Sequence, residues 1–355
     1  MGREAAGPDP GCLPTTTSSA IAGGALTLDM RKRNRKPSRR GGDRGLGEEM
    51  TGDVIRLQSR HAVVDLSDGQ RIRCTLRKTL FRDLGQFTKP VAVGDRVTVT
   101  VFGPRDAVVE SVMPRHGWLA RRQAETGLEQ IIVANVDQVL ITVALEEPAF
   151  RPRIIDRILV ASERGGFGAV IAFTKTDLVQ DRGFYEDYAT LYRELGYPTL
   201  FISAVSGEGI DELGEVLRGK TTVLTGQSGV GKSSILNVLQ PGLELRAQTV
   251  SPKWGKGKHT TSSTSFIPLE IGGYVADTPG VRSWGIAGLE PSDVAIFFKD
   301  LSPFVDDCKY NECTHDHEPE CAVKDAVAEG HIDPRRYESY LRIIFGMEDE
   351  EDATS

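Results

Sequence analysis

Between Gly52 and Val112 the chain breaks into short β-prone apolar segments at residues 53–57, 62–66, 71–76, 96–102 and 107–112. Turn signals such as Ser67-Asp68-Gly69 and Val93-Gly94-Asp95 separate them. Five short strands within about sixty residues predict a small barrel, and an OB-fold is the best match, because it is a five-stranded barrel of that size that commonly binds oligonucleotides. A connector follows, Pro114-Arg115-His116-Gly117-Trp118-Leu119, ending in Arg121-Arg122. Beyond it the pattern changes to strands at 136–145, 168–173, 199–202 and 221–224, alternating with helices at 154–164, 185–195, 210–217 and from Lys232 onward. That rhythm predicts an α/β domain with a mostly parallel sheet. Residues 1–49 are rich in Gly, Pro, Ser, Thr and Arg without periodicity; they cannot bury enough apolar surface to offset ordering entropy and are predicted to be flexible.

Composition adds limits to this picture. At 355 residues the chain is long enough for two or three domains, and 39% hydrophobic with 26% charged residues permits packed interiors. No apolar run approaches the roughly 18 residues that span a bilayer, so a cytoplasmic protein without membrane partners is expected. The net charge of −7 is unfavourable for nucleic acid, but its distribution is uneven. Residues 31–40 (RKRNRKPSRR) are almost wholly basic, and 348–352 (EDEED) wholly acidic. The basic run reads either as a solvated tail or as an arm that touches RNA. Arg71, Arg73, Arg77, Lys78 and Arg82 offer the barrel a basic face of the same kind.

The chemistry is concentrated in four motifs. Gly226-Gln227-Ser228-Gly229-Val230-Gly231-Lys232-Ser233, followed by Ser234, lies after an apolar strand and opens a helix, the context a Walker A phosphate loop requires. Its glycines let backbone N–H groups wrap the phosphates, Lys232 reaches the β/γ-phosphates and Ser233 is the candidate Mg²⁺ ligand. Asp277-Thr278-Pro279-Gly280 follows a short apolar segment, placing Asp277 at a strand end to hold the Mg²⁺ shell and Gly280 to meet the γ-phosphate. Thr174-Lys175-Thr176-Asp177 ends a buried strand as a guanine-reading T-K-x-D, and Ser203-Ala204 ends the next as its partner. The Asp177 carboxylate accepts from guanine N1–H and N2–H₂, a donor pair adenine lacks, which favours GTP over ATP. The plain alternative for Asp177 is a helix cap. Thr174 stands where Asn is commoner, which is expected to reduce guanine affinity. Cys308, Cys313, His315 and Cys321 form C-x4-C-x-H-x5-C, a donor set suited to one structural zinc, with His317 competing for the fourth position. Cys12 and Cys74 look incidental.

The guanine reader here precedes the phosphate loop, the reverse of the Ras-like order. With Gly257-Lys258-His259-Thr260-Thr261, Asp277-Thr278-Pro279-Gly280-Val281-Arg282 and the cysteine spacing, the chain closely resembles the RsgA/YjeQ family of ribosome small-subunit-dependent GTPases from about Thr51 to Gly346. The resemblance implies an OB-fold barrel, a circularly permuted P-loop GTPase domain and a zinc-binding helical domain. It also implies docking on the small ribosomal subunit and its rRNA late in assembly, GTP hydrolysis stimulated by the subunit, and departure after other assembly factors are checked or released.

On that reading residues 1–49 are a basic extension, 50–113 the OB-fold, 114–287 the permuted GTPase domain, 288–347 the zinc-binding domain and 348–355 an acidic tail. Residues 257–261 become a switch segment in which Thr260 or Thr261 approaches Mg²⁺. Val281 cannot orient water as the Ras-like Gln does. His259 therefore either positions the attacking water or contacts phosphate or RNA. Lys232, Asp277 and His259 are the candidate catalytic residues. The competing function is a non-catalytic GTP-gated RNA-binding module; a large-subunit GTPase would leave barrel and cysteines unexplained. A factor docking on one asymmetric particle is most simply a monomer.

Overall fold

Alternating inward positions close the barrel. In the computed structural model, which describes residues 47–58, 60–82, 84, 85, 87–123, 126–242, 265–277 and 289–347, five strands form it. They are β1 (Glu48–Gln58), β2 (His61–Leu66), β3 (Arg71–Leu76), β4 (Arg96–Gly103) and β5 (Asp106–Val112), in the order β1-β2-β3-β5-β4. Val64, Ile72, Cys74, Val97, Val99 and Val109 fill the interior because every second side chain faces inward. Cys74 is thus a core residue. β1 begins at Glu48, inside the stretch expected to be flexible, because β4 runs on far enough to pair Glu48 with Val101. Arg71 and Arg73 point outward as expected, but Arg71 pairs with Asp65 at 3.3 Å and Arg77 with Glu110, so carboxylates interleave with the basic face.

The end of the connector is the first strand of a hairpin that the sequence pattern does not predict, β6 (Trp118–Arg122) against β7 (Glu129–Ala134). Neither strand shows a pattern strong enough to stand alone; each is held by the other. Around it the barrel is pinned. The buried carboxylate of Asp95 accepts from Arg115 Nε at 2.6 Å, Arg115 Nη2 at 2.8 Å and the Ala92 N–H at 2.7 Å. Asn135 Nδ2 donates to the Gly94 carbonyl at 2.8 Å. Gly94 has φ +88°, and a Cβ there would lie 2.1 Å from the Ala134 carbonyl, so this approach requires glycine.

The second sheet has six strands in the order β10-β9-β8-β11-β13-β12. Four are the predicted ones, β8 (Gln138–Ala144), β9 (Gly168–Thr174), β10 (Thr199–Ile202) and β11 (Thr221–Thr225). β13 (Tyr274–Asp277) extends the parallel set, and β12 (Ser265–Pro268), unpredicted, pairs antiparallel with it. Helices α1 (Pro152–Gly165) and α2 (Gly183–Glu194) cover one face, on Ile141, Ile171 and Phe173. On the other, α3 (Ile210–Leu217) and α4 (Lys232–Leu239) pack on Leu140, Ala172 and Leu224. Both faces being covered explains why every residue of β8 is buried, Gln138 and Thr142 included.

Within residues 289–347 the regular elements are helical: α5 (Pro291–Val294), α6 (Ser302–Val305), α7 (Ala322–Ala328) and α8 (Pro334–Ile344). This layer shares its core with Val160 of α1. Arg336, buried, donates to Asp300 at 2.9 and 3.0 Å and to Asp156 of α1, with Phe298 4.5 Å beneath the guanidinium. Burial opposes its charge, but the two carboxylates outweigh that and hold the guanidinium protonated. Among the described residues no helix is long and apolar enough to cross a membrane.

Candidate nucleotide and metal sites

All parallel strands end at one edge of the sheet, where ligands bind in open α/β folds. After β11 the loop from Gly226 to Gly231 takes the positive φ values its glycines allow: +144° at Gly226, +84° at Gly229 and +93° at Gly231, which caps α4. Any Cβ on Gly226 would sit 2.2 Å from the Thr142 carbonyl. Lys232 Nζ donates to the carbonyls of Gly226 at 2.7 Å and Gln227 at 2.6 Å, and so lies inside the loop. Ser228 and Gly229 are exposed, Ser233 half-buried, and the first turn of α4 carries N–H groups with no intrahelical acceptor.

Thr174 ends β9 two strands away, with β8 between, and its hydroxyl donates to the Val230 carbonyl at 2.6 Å. The T-K-x-D turn is thereby tied directly to the phosphate loop. Lys175, at φ +59°, donates to the Glu147 carbonyl. Ser203 Oγ donates to Asp177 Oδ1 at 2.6 Å and accepts the N–H groups of Val205 and Ser206, each at 3.1 Å, so the two turns share one network beside half-buried Ala204. Thr176, expected as a nucleotide-binding member of the T-K-x-D turn, is buried and donates to Glu208 Oε2 at 2.5 Å. Glu208 also accepts from Arg182 at 2.6 and 3.0 Å. Arg182, then the Thr176 hydroxyl, hold the Glu208 carboxyl below the usual range. Glu147, Arg182 and Glu208 carry no motif signal, since their roles depend on partners 26 to 32 residues away.

Asp277 ends β13, with Leu224 of β11 as its register partner, which sets its backbone at the same edge as the phosphate loop. His259, Thr260, Thr261 and Gly280 lie outside the described residues, as do Val281, the basic run and the acidic run.

The C-terminal cluster brings Cys308, Cys313, His315 and Cys321 together, their ligand atoms all within 4.8 Å of one another. His315 Nδ1 is 3.4 Å from Cys308 Sγ and 3.5 Å from Cys321 Sγ, and the latter two sulfurs are 3.9 Å apart. Such spacing suits a single small ion about 2.3 Å from each sulfur. Tyr337 donates to the His315 carbonyl at 2.6 Å, holding that residue at φ +57°. His317 is no ligand: its side chain is 78% exposed and faces Asp316. Burial, with Cys321 and Cys308 alongside, pushes the Cys313 thiol up to about 12. The cluster could hold a metal ion, which would supply the positive charge that three crowded thiolates need.

A doubly wound phosphate-loop domain whose T-K-x-D and Ser203-Ala204 strands precede its phosphate loop, set between a closed barrel and a segment bearing a three-cysteine, one-histidine cluster, defines a circularly permuted GTPase. The RsgA GTPase family model matches residues 112–287. A Bacteroides fragilis protein, small ribosomal subunit biogenesis GTPase RsgA, is 37% identical over 84% of this chain and 98% of its own length. The Gemmatimonas aurantiaca protein of the same name is 39% identical over 82% and 96%. Among solved structures, YjeQ from Thermotoga maritima matches with TM-score 0.70 and 34% identity over 84% of this chain and 98% of its own. YloQ, described as a circularly permuted GTPase, matches at 0.65 and 26% over 89% and 99%. This chain belongs to the RsgA GTPase family and is a GTPase.

Proposed function

We propose that this protein binds the small ribosomal subunit late in its assembly and hydrolyses GTP to GDP and phosphate. The subunit stimulates hydrolysis, and hydrolysis releases the factor. The carrying observation is the network joining Thr174 to Val230 and Asp177 to Ser203, which fastens a carboxylate-bearing turn to the phosphate loop at one sheet edge. The names of the relatives supply the subunit. Asp177 and the Ala204 N–H read guanine, with Lys175 along the base; residues 226–234 cradle the phosphates, Lys232 reaching the β/γ-phosphates. Ser233 and Asp277 hold Mg²⁺, with Thr260 or Thr261 approaching it and Gly280 meeting the γ-phosphate. Bound there, Mg²⁺ neutralises phosphate charge. Cys308, Cys313, His315 and Cys321 hold one structural zinc, a reading supported by their three-sulfur, one-nitrogen donor set. The working divisions are 50–113, 114–287 and 288–347, with 1–49 a basic arm. The protein is a cytoplasmic monomer that meets other assembly factors on the subunit.

The test is GTP hydrolysis by the full chain with no subunit, small subunits or large subunits, at several salt concentrations. Stimulation by small subunits alone, weakening as salt rises, is the expected result. Intact GTP binding without stimulation would instead favour a nucleotide-gated binding module. His259 is proposed to position the attacking water once RNA orders its segment. His259→Ala should cut subunit-stimulated kcat about 10²-fold or more, the usual scale of such a group, while GTP affinity holds; full kcat would remove the role.

A further inference from the structure

A cavity of about 760 Å³ lies between α1, α2 and α8, and none of the nucleotide-motif residues lines it. Its wall carries Phe150 and Tyr188, and around them stand Arg151, Arg153, Arg335 and Arg342. Two carboxylates line it as well. Asp156 is committed to Arg336, and Glu338 accepts from Arg153 at 3.4 Å and Arg342 at 3.1 Å. Arg335 pairs with Asp333 at 2.7 Å and lies 4.7 Å over the Tyr188 ring. The lining residues themselves carry more arginines than carboxylates, in a chain whose own net charge is −7.

The end of α8 lies at this groove, and Met347 is one of its lining residues. Gly346, at φ +61°, donates its N–H to the Ile343 carbonyl at 3.2 Å, and Met347 donates to the Arg342 carbonyl at 3.0 Å. This pair of bonds is a Schellman turn, which folds the chain back over the last helical turn. The five residues after Met347 are Glu348, Asp349, Glu350, Glu351 and Asp352. Extended, five residues reach about 17 Å, enough to cross a cavity of this size.

We propose that the acidic run Glu348–Asp352 docks in the arginine-lined groove between α1, α2 and α8 of its own chain. Tethered beside the groove, it has a high effective concentration there, and it screens these arginines from phosphate-bearing strands. The assignment is independent of how the nucleotide site is read. The charge match and the place of Met347 on the groove wall favour this occupant over an RNA strand, whose phosphates and bases would suit the same arginines and rings.

The experiment compares the full-length protein with its E348Q/D349N/E350Q/E351Q/D352N variant. Phenylglyoxal modification at Arg151, Arg153, Arg335 and Arg342 is followed by mass spectrometry, and binding of a uridine oligonucleotide by anisotropy. The expected result is several-fold faster modification and tighter oligonucleotide binding in the variant. Raised salt should bring the parent protein to the variant's modification rate, because exposed ion pairs are screened. Equal modification rates at low salt would overturn the proposal, as would tighter oligonucleotide binding without faster modification, which would signify long-range charge alone. Protection that fades on dilution would assign the acidic run to a neighbouring copy and overturn it as well.

Discussion

On the proposed reading, Asp177 is the residue on which base choice turns. A carboxylate offers about four acceptor positions, and the Ser203 hydroxyl, 2.6 Å from Oδ1, occupies one of them while fixing the group's orientation. The rest remain for a base that presents two adjacent donors. Asp177→Asn replaces acceptors with a donor and removes charge, at a cost of about 1.5–3 kcal/mol for a charged hydrogen bond. GTP affinity should fall about 10–100-fold, with ATP affinity unchanged, in a nucleotide competition assay; a loss below about twofold would leave Asp177 as a mere cap. Thr174 answers a different need. Its single proton is best spent on the Val230 carbonyl at 2.6 Å rather than the Val143 carbonyl at 3.2 Å, so it fastens the turn to the phosphate loop.

At the scale of elements, Glu208 joins the turns that follow β9 and β10. Its carboxylate holds the Thr176 hydroxyl and the Arg182 guanidinium, and its own carbonyl accepts the Ser203 N–H at 3.0 Å. Because the folded carboxyl is held below the ordinary glutamate range by Arg182 and then Thr176, the sign is definite. The bridge contributes fully above about pH 4.3 and is lost as pH falls through and below that value. The pair is partly exposed, so about 1 kcal/mol or less is expected. Glu208→Gln should weaken GTP binding about two- to fivefold near neutrality with kcat unchanged, and the two proteins should converge in acid. A ratio constant with pH would show that the bridge does not orient the turn.

For the whole molecule, one buried arginine secures the metal-binding layer to the GTPase sheet. Arg336 is 2% exposed and answers Asp156 of α1 and Asp300 at once. Removing it strands a buried carboxylate, so Arg336→Ala should cost about 3–5 kcal/mol in denaturant unfolding; a cost under about 1 kcal/mol would mean that apolar contacts around Phe298 and Tyr340 suffice. Asp95 and Arg115 fasten the barrel to the connector that leads into the hairpin in the same manner.

The positions of α3 and β10 coincide with the sequence reading, and β8, β9 and β11 differ from it by a residue or two, because apolar blocks bounded by turn residues encode local structure directly. The permuted order and the clustering of Cys308, Cys313, His315 and Cys321 were equally legible, since both follow from spacing along the chain. The hairpin β6–β7 and the edge strand β12 were not, because each is stabilised by a partner rather than by its own pattern. Nor were the Glu208 bridge or the Arg336 clamp, whose partners lie 26 to 180 residues apart. The sequence by itself determined which chemistry this protein carries. Tertiary structure decided what holds that chemistry in place and excluded His317 from the metal cluster, because only the folded chain brings distant charges close enough in a low-dielectric interior to matter.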